Sequence, residues 1–466
     1  MTKRPLGFFD LALTAVAMTL SIRWLATAAA AGPASLPLWG LAALGFMAPL
    51  VLATADLTAR IEGDGGIYAW TREAFGDVTG FLCGWLYWTC NLPYFSGLLY
   101  FIVNAAAVAL GAQAQAAVAD PAVFAVVAMG LAAAVGALHL AGLGTGKWLA
   151  NFGAAAACCL VAAIIGAGAV LALRHGPATR FTHVSYAPPL NADGAALWAT
   201  MVFAFGGPEA LALLRGDVKG GTAQILKVLA VVGVLLAGAY AMGTAAVLSI
   251  MRPEEVSRLS GVPEAIRRGL ERLGLAGLAP VALLLLAVSM LGAYSAWFGV
   301  AAKLPAVIGG GRGLPAIFTY KSARTGAPVT AILVQTVAVI ALVGLGQAGA
   351  SVKAAYDFLI SMSVLSYTLP FVLLFIAYLR LRRRPRPAGA WAPMGDAWLG
   401  PIAGVVGVAM TSSAIACTLV PSPDAADRLG AVVKLIVASA VLILSGLVVY
   451  LPSRRSLARA QAAAKG

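Results

Sequence analysis

The sequence predicts an all-α integral membrane protein with twelve transmembrane helices, and three observations carry that expectation. Apolar residues fill 61% of its 466 positions and charged residues only 11%, with a mean hydropathy of +0.91, well outside the range of soluble domains. The apolar residues also gather into runs long enough to cross a hydrocarbon core about 30 Å thick. Ten-residue segments of alternating polarity, the mark of a closed barrel, are missing, which leaves helices to satisfy the backbone in lipid.

The runs have approximate limits 8–31, 37–59, 78–110, 121–141, 148–173, 195–214, 222–250, 278–304, 329–346, 355–379, 398–420 and 431–451. Their connections are short, which makes one integral domain. The run Phe8 to Ala31 is too long for the apolar core of a signal peptide, and no cleavage site follows it, so it reads as a span.

That first run holds the most informative residue. Arg23 lies roughly 22 Å into a helix that starts at Phe8, at about 1.5 Å per residue. A charge at that depth costs at least about 2.5 kcal/mol, which a chain tolerates where the residue faces a cavity, a partner or a ligand. In the bland alternative the helix starts later and Arg23 snorkels to the interface. Lys3, Arg4 and Asp10 already supply a polar entry upstream and argue against it.

The sixth run contains Phe203-Ala204-Phe205-Gly206-Gly207-Pro208-Glu209. Two glycines and a proline break a helix, and broken backbone at membrane depth survives only where it lines a cavity or is covered by protein. The first run is interrupted at Ser21-Ile22-Arg23-Trp24. Breaks five spans apart fit two inverted repeats of five helices, each opening with a broken helix. Half-helix ends at the midplane offer amides to an anion and carbonyls to a cation, as an amino acid zwitterion requires. Glu209 then reads either as a substrate or proton site or as the partner of Arg215 near the helix end.

With the N-terminus inside, the cytoplasmic segments carry roughly twice the Lys and Arg of the opposite loops, so both termini are predicted cytoplasmic. The run Arg380, Arg382, Arg383, Arg384 and Arg386 is most simply a positive-inside anchor, with an anionic-lipid site as its rival reading. Between Arg252 and Ala276 glutamates nearly cancel the arginines, and this loop is expected to form an amphipathic helix over the outer face. The net charge of +14 is thus a topology signal and not a nucleic-acid face.

Other chemistry fits poorly. The five cysteines, Cys83, Cys90, Cys158, Cys159 and Cys417, all lie in apolar runs without disulfide or zinc spacing and read as small core residues. His139 reads as a packed core residue, while His175 and His183 lie in a loop. Neither a HExxH pair nor a phosphate-binding GxxxxGK[ST] loop occurs. The expectation is a non-enzyme without cofactor or metal.

Four stretches resemble the amino acid–polyamine–organocation (APC) superfamily of amino acid permeases. The loop after span 2 reads Gly63-Asp64-Gly65-Gly66-Ile67-Tyr68-Ala69-Trp70, followed by Ala74-Phe75-Gly76, Gly80-Phe81 and Gly84-Trp85. The second is the F-G-G-P-E of span 6. The third runs from Gly292 to Pro315 and is followed by Thr325-Gly326-Ala327-Pro328; the fourth is Tyr378-Leu379-Arg380-Leu381-Arg382. Within the superfamily, the first loop and Trp85 to Leu99 are most similar to the bacterial glutamate/γ-aminobutyrate antiporter branch.

The resemblance implies a LeuT-type fold, with two inverted five-helix repeats, two peripheral helices and alternating access around a midplane site. It implies a transporter core at 1–390, with repeats at about 8–173 and 195–380, and peripheral helices 11 and 12 with a basic tail at 391–466. Carried over by position, Ser21 to Ala26 would be unwound, including Ile22, Arg23 and Trp24, as would Gly206-Gly207-Pro208. Cys90, Asn91 and Phe95 would line the pocket, Phe203 would be the aromatic that closes over substrate, and Phe205 would join them beside the second break. Tyr294 would be an aromatic gate and Glu209 a gating or proton-linked carboxylate. Tyr87 and Trp88 read equally as core or pocket. The loop motif Gly65, Gly66, Tyr68 and Trp70 would help shut the cytoplasmic side; otherwise the glycines merely turn the chain and Trp70 anchors it in the interface.

Two departures stand out. Where the family shows small residues in helix 1, this chain has Ser21-Ile22-Arg23-Trp24, so Arg23 holds a substrate carboxylate, reads a second acidic group, or locks onto Glu209. Span 5 also lacks the lysine that some relatives use in place of sodium. The expected function is secondary transport of amino acids or related amines across the cytoplasmic membrane, as permease or antiporter. The partners are the bilayer, the small-molecule substrate and a coupling proton or counter-substrate. The rival class is a sensor that keeps the fold and binds without translocating. No oligomeric state is assigned.

Overall fold

The computed structural model describes residues 6–463 apart from 64, 182–190, 259, 311–312, 348–351, 387–390, 392–395 and 421–427. Among the described residues, 12 helical stretches are long and apolar enough to cross a membrane, close to the predicted limits. The elements are helical throughout, apart from one isolated bridge between Leu6 and Val218.

The first span consists of α1 (Phe8–Thr19) and α2 (Arg23–Ala29). Only Leu20, Ser21 and Ile22 lie between them, so the unwound stretch is shorter than Ser21 to Ala26. The amides of Trp24 and Leu25 donate to Ser21 and Ile22 at 3.1 and 3.0 Å, restarting the helix at once. Side chains such as Arg23 and Trp24 do not hold a backbone open as glycine does.

The second span, α3 (Ser35–Ala42) and α4 (Ala48–Arg60), is joined by a π-helical turn at Ala43–Met47 that the sequence did not announce. Next comes α5 (Gly66–Phe75), lying between two spans. Gly66 opens it at φ +47°, as the paired glycines suggested. Trp70 is only 2% exposed, so it is packed in protein and is not an interfacial anchor.

Span 3 is α6 (Asp77–Thr89) and α7 (Asn91–Leu110), continued by short α8 (Ala112–Val118). Spans 4 and 5 are α9 (Pro121–Leu140) and α10 (Leu143–His175). His139 on α9 is buried and lies 3.0 Å from the Ser295 hydroxyl, the packed core residue expected. On α10, Cys159 is exposed and not a core residue; all five cysteines are free.

Span 6 begins with α11 (Ala192–Ala204), where the Asn191 side chain caps the helix by accepting from the Gly194 amide. After Phe205, Gly206 and Gly207 it resumes as a 3-10 helix at Pro208–Asp217. Pro208 was expected within the break but starts the second half, because its fixed φ suits a first helical position. Gly207 has φ +124°, and a Cβ on it would come within 2.6 Å of Thr19. A Cβ on Gly206 would meet Tyr367 at 2.4 Å. The second break thus uses bare glycine to touch the first break on one side and a distant helix on the other.

The remaining helices are α12 (Gly221–Ile250), α13 (Gly261–Arg272), α14 (Ala279–Ala301), α15 (Lys303–Gly310), α16 (Val329–Gln347), α17 (Val352–Leu381), α18 (Asp396–Thr418) and α19 (Arg428–Ala463). Helix α13 is the amphipathic loop helix that was expected, with Val262, Ala265 and Ile266 buried. Its Arg267 pairs with Glu264 and Glu271, and its Arg268 with Glu255 and Glu264.

On the face that carries Leu6 and α5, ion pairs tie separate spans together. Asp10 pairs with Lys147, Asp217 with Lys303, and Glu73 with Arg384. Asp56 is fully buried between Arg60 at 2.7 Å and Arg386 at 2.6 Å. The arginines after α17 therefore do more than mark topology, since Arg384 and Arg386 fasten the end of α17 to α5 and α4.

Candidate functional site: an occluded pocket where two broken helices meet

A small cavity of ≈ 20 Å³ lies where the two breaks meet. A single water needs about 10–15 Å³ measured this way, so the cavity holds little more than one and is closed to a solute. Met18, Thr19, Ser21 and Trp24 line it from span 1, and Cys90, Asn91 and Tyr94 from span 3. Phe203, Ala204 and Gly206 close it from span 6, with Trp297 of α14 and Tyr367 of α17 opposite.

Six sequence-predicted residues, Ser21, Trp24, Cys90, Asn91, Phe203 and Gly206, are thus brought together. Others lie elsewhere. Ile22 is buried in the core away from the cavity. Phe205 packs on Trp39 and Tyr240, because one residue past the end of α11 the chain has turned toward the second and seventh spans. Tyr294 stacks on Phe298 and meets Phe95 at a tilt, so Tyr294 is not at the cavity as a gate and Phe95 does not line it. Gly207 contributes its amide, not a cavity wall.

Glu209 is 1% exposed and its carboxylate is well satisfied. Oε1 accepts from the Tyr87 hydroxyl at 2.6 Å and the Tyr367 hydroxyl at 2.7 Å, and Oε2 accepts from the Gly207 amide at 2.9 Å. An ionised carboxylate has about four acceptor sites, so three are filled. Arg215 is not its partner; that guanidinium donates to the carbonyls of Thr58 and Ile61. Tyr87 is resolved as part of the site, stacked 5.6 Å from Tyr367, which in turn meets Phe203 at 5.0 Å.

Arg23 presents the opposite case. It is 0% exposed, and Nε, Nη1 and Nη2 have no hydrogen-bond partner among the described residues. The lock onto Glu209 is therefore not formed. Instead the guanidinium lies over the Trp24 ring at 4.1 Å and the Tyr94 ring at 5.0 Å. Cation–π contacts are worth about 2 kcal/mol when desolvated, while the penalty for burying an ion is several kcal/mol. The rings offset only part of that cost.

The carbonyls released at the ends of the half-helices are also occupied. The Trp297 indole N–H donates to Met18 O. The Tyr240 hydroxyl donates to Thr19 O at 2.7 Å, lies 3.2 Å from Ala204 O, and accepts from the Ser21 amide at 3.2 Å. Tyr94, Tyr240 and Tyr367 escaped the sequence reading, because an aromatic in an apolar run carries no mark that separates a pocket wall from core. Trp297 lay inside the recognised Gly292 to Pro315 stretch but was not singled out.

Twelve spans with two helices broken at a shared, occluded pocket define a multi-pass membrane transporter of the LeuT-type fold. A family model described as "Amino acid permease" matches residues 6–450, and the chain belongs to that family within the APC superfamily. It is 26% identical over 408 residues to an uncharacterized transporter of Legionella pneumophila, covering 87% of each chain. It is 21% identical over 266 residues to a Lactococcus lactis protein named a "Probable agmatine/putrescine antiporter", covering 57% of this chain and 56% of that one. In fold it is similar to the Eremococcus coleocola manganese transporter crystallised with an aromatic bis-isothiourea substituted compound, with a TM-score of 0.57, 14% identity and coverage of 97% and 94%. The chain is a permease or antiporter, not an enzyme.

Proposed function

We propose that the chain moves amino acids or related amines across the cytoplasmic membrane by alternating access around the pocket between its two breaks. The observation that carries this is the meeting of both breaks at one occluded cavity, with Gly207 against Thr19 and Gly206 against Tyr367. Residues 1–390 form the moving core, with repeats at about 8–173 and 195–380; 391–466 form the periphery, and both termini face the cytoplasm. Ser21, Trp24, Cys90, Asn91, Phe203 and Gly206 enclose the substrate, and Arg23 supplies a charge to it.

Glu209 serves as a proton-linked gate. If it takes up a proton, its new O–H needs an acceptor, which a tyrosine oxygen can supply once its own hydroxyl hydrogen rotates to another partner. Since Tyr367 lines the cavity, that rotation changes which hydrogen-bonding groups the pocket presents. Coupling then runs through a proton or a counter-substrate. The ion pairs on the α5 face, among them Asp56 with Arg386 and Asp217 with Lys303, hold the cytoplasmic exit shut in the present state.

Counterflow in proteoliposomes is the test. Vesicles loaded with one unlabelled amino acid or amine should accumulate the labelled solute from outside. Binding to the purified protein without any counterflow would instead establish the sensor reading.

A further inference from the structure

We infer that the solute is anionic, a small carboxylate such as an acidic amino acid or a dicarboxylate, and not a cationic amine or basic amino acid. This rests on the transporter reading and narrows its substrate class. The pocket offers unequal groups to the two signs of charge. For a cation, Glu209 has three of its roughly four acceptor sites filled by Tyr87, Tyr367 and Gly207. The carbonyls of Met18 and Thr19 accept from Trp297 and Tyr240. The one carboxylate at the breaks and the carbonyls freed at the end of α1 are thus largely taken by the protein's own donors.

For an anion the position is reversed. A guanidinium carries five N–H donors in a fork that matches a carboxylate, and none of those on Arg23 is used among the described residues. Among the described residues the Ser21 hydroxyl on the cavity wall meets only the Met290 sulfur at 4.0 Å, a weak acceptor that it can leave for a carboxylate.

Arg23 is separated from the cavity by Trp24 and Tyr94, which line the cavity and lie against the guanidinium. A cavity of ≈ 20 Å³ must enlarge to admit any solute. Displacing either ring to do so uncovers Arg23, so opening the pocket and presenting the positive charge are one event. A carboxylate then neutralises a charge that is otherwise buried alone.

The test uses purified protein and proteoliposomes with glutamate, aspartate, succinate, ornithine, agmatine and putrescine. The carboxylates should raise the melting temperature and support counterflow, and the three cations should do neither. Arg23→Gln should raise the half-saturating glutamate concentration roughly tenfold or more, the weight of one charge-assisted contact, with Arg23→Lys recovering part of it. Stabilisation or exchange by the cations equal to that by glutamate would overturn the inference. So would an unchanged glutamate half-saturation in Arg23→Gln, or no response to any carboxylate. If Arg23→Gln does not fold, the wild-type contrast between glutamate and ornithine decides alone. Stabilisation by carboxylates without counterflow would remove the transport reading and leave the anionic preference standing.

Discussion

The two broken helices solve one backbone problem in opposite ways. In span 6 the break is made of glycine, and its charge, Glu209, accepts from two hydroxyls and an amide. In span 1 the break at Leu20–Ile22 contains no glycine, and its charge, Arg23, has no hydrogen-bond partner among the described residues. A satisfied charge in low dielectric rigidifies what surrounds it, whereas an unsatisfied one is costly until something arrives. This contrast is what the proposed function builds on, with the span 6 break as scaffold and gate and the span 1 break as the ligand's place.

The largest effect should come from removing the satisfied charge. Glu209→Ala strands the donors of Tyr87, Tyr367 and Gly207 in a buried site. At about 1–3 kcal/mol for each orphaned group, the loss is on the order of 3 kcal/mol or more, readable as a large fall in melting temperature. Glu209→Gln keeps the size and, with its amide donors, resembles the protonated form but cannot exchange a proton, so its uptake should no longer vary with pH. A pH profile like that of wild type would end the proton-coupling role.

Glycine dependence separates the breaks next. At Gly207→Ala a Cβ meets Thr19 at 2.6 Å and Trp297 at 3.2 Å, and φ is +124°. The strained backbone alone costs roughly 1–2 kcal/mol, and the clash should stop flux entirely. Ser21→Ala in the other break loses only a weak contact to the Met290 sulfur and should cost less than about 1 kcal/mol. Equal responses at the two positions would dissolve the contrast.

Arg23 should respond with the opposite sign. Replacing an unpaired buried charge with an apolar side chain of similar length removes a desolvation cost, so Arg23→Met should raise the substrate-free melting temperature by about 1–2 kcal/mol equivalent. It should also abolish stabilisation by carboxylates. A lower melting temperature in Arg23→Met would mean that the rings of Trp24 and Tyr94 already satisfy the charge.

Much of this was legible in the chain itself. The spans follow from runs of apolar residues, and the breaks from Gly206-Gly207-Pro208 and from one arginine at depth, because membranes make both anomalies expensive. The extent of the first break was overread, since a family pattern built on glycine does not transfer to Ile22-Arg23-Trp24. The partners of Glu209 were not legible. Tyr87 and Tyr367 are separated by most of the chain, and nothing local marks a tyrosine whose hydroxyl will meet a carboxylate. The same holds for Tyr240 and Trp297, whose donors cap the freed carbonyls. Phe205 and Tyr294 were misplaced for a related reason, since helix register near a break cannot be counted from the sequence.

The smallest effect belongs to the charges that face water, and it calibrates the buried ones. On α13 the Glu264 carboxylate is held below its ordinary value chiefly by the hydrogen bond from Arg267, which outweighs the opposing push of partial burial and is reinforced by Arg268. A carboxyl group whose value is lowered by folding stabilises the protein above its unfolded value near 4.5, and that contribution fades as pH falls through the lowered one. Because Arg267 is 42% and Glu264 29% exposed, solvent screens the pair and its worth is about 0.2–1 kcal/mol. Glu264→Gln should therefore melt slightly below wild type at pH 7, and the two curves should converge in acid. A gap as large as that for Glu209→Ala would show that α13 is a structural clamp on its face. A gap of the expected size leaves the energetic weight of this protein's charges where burial puts it, at the two breaks.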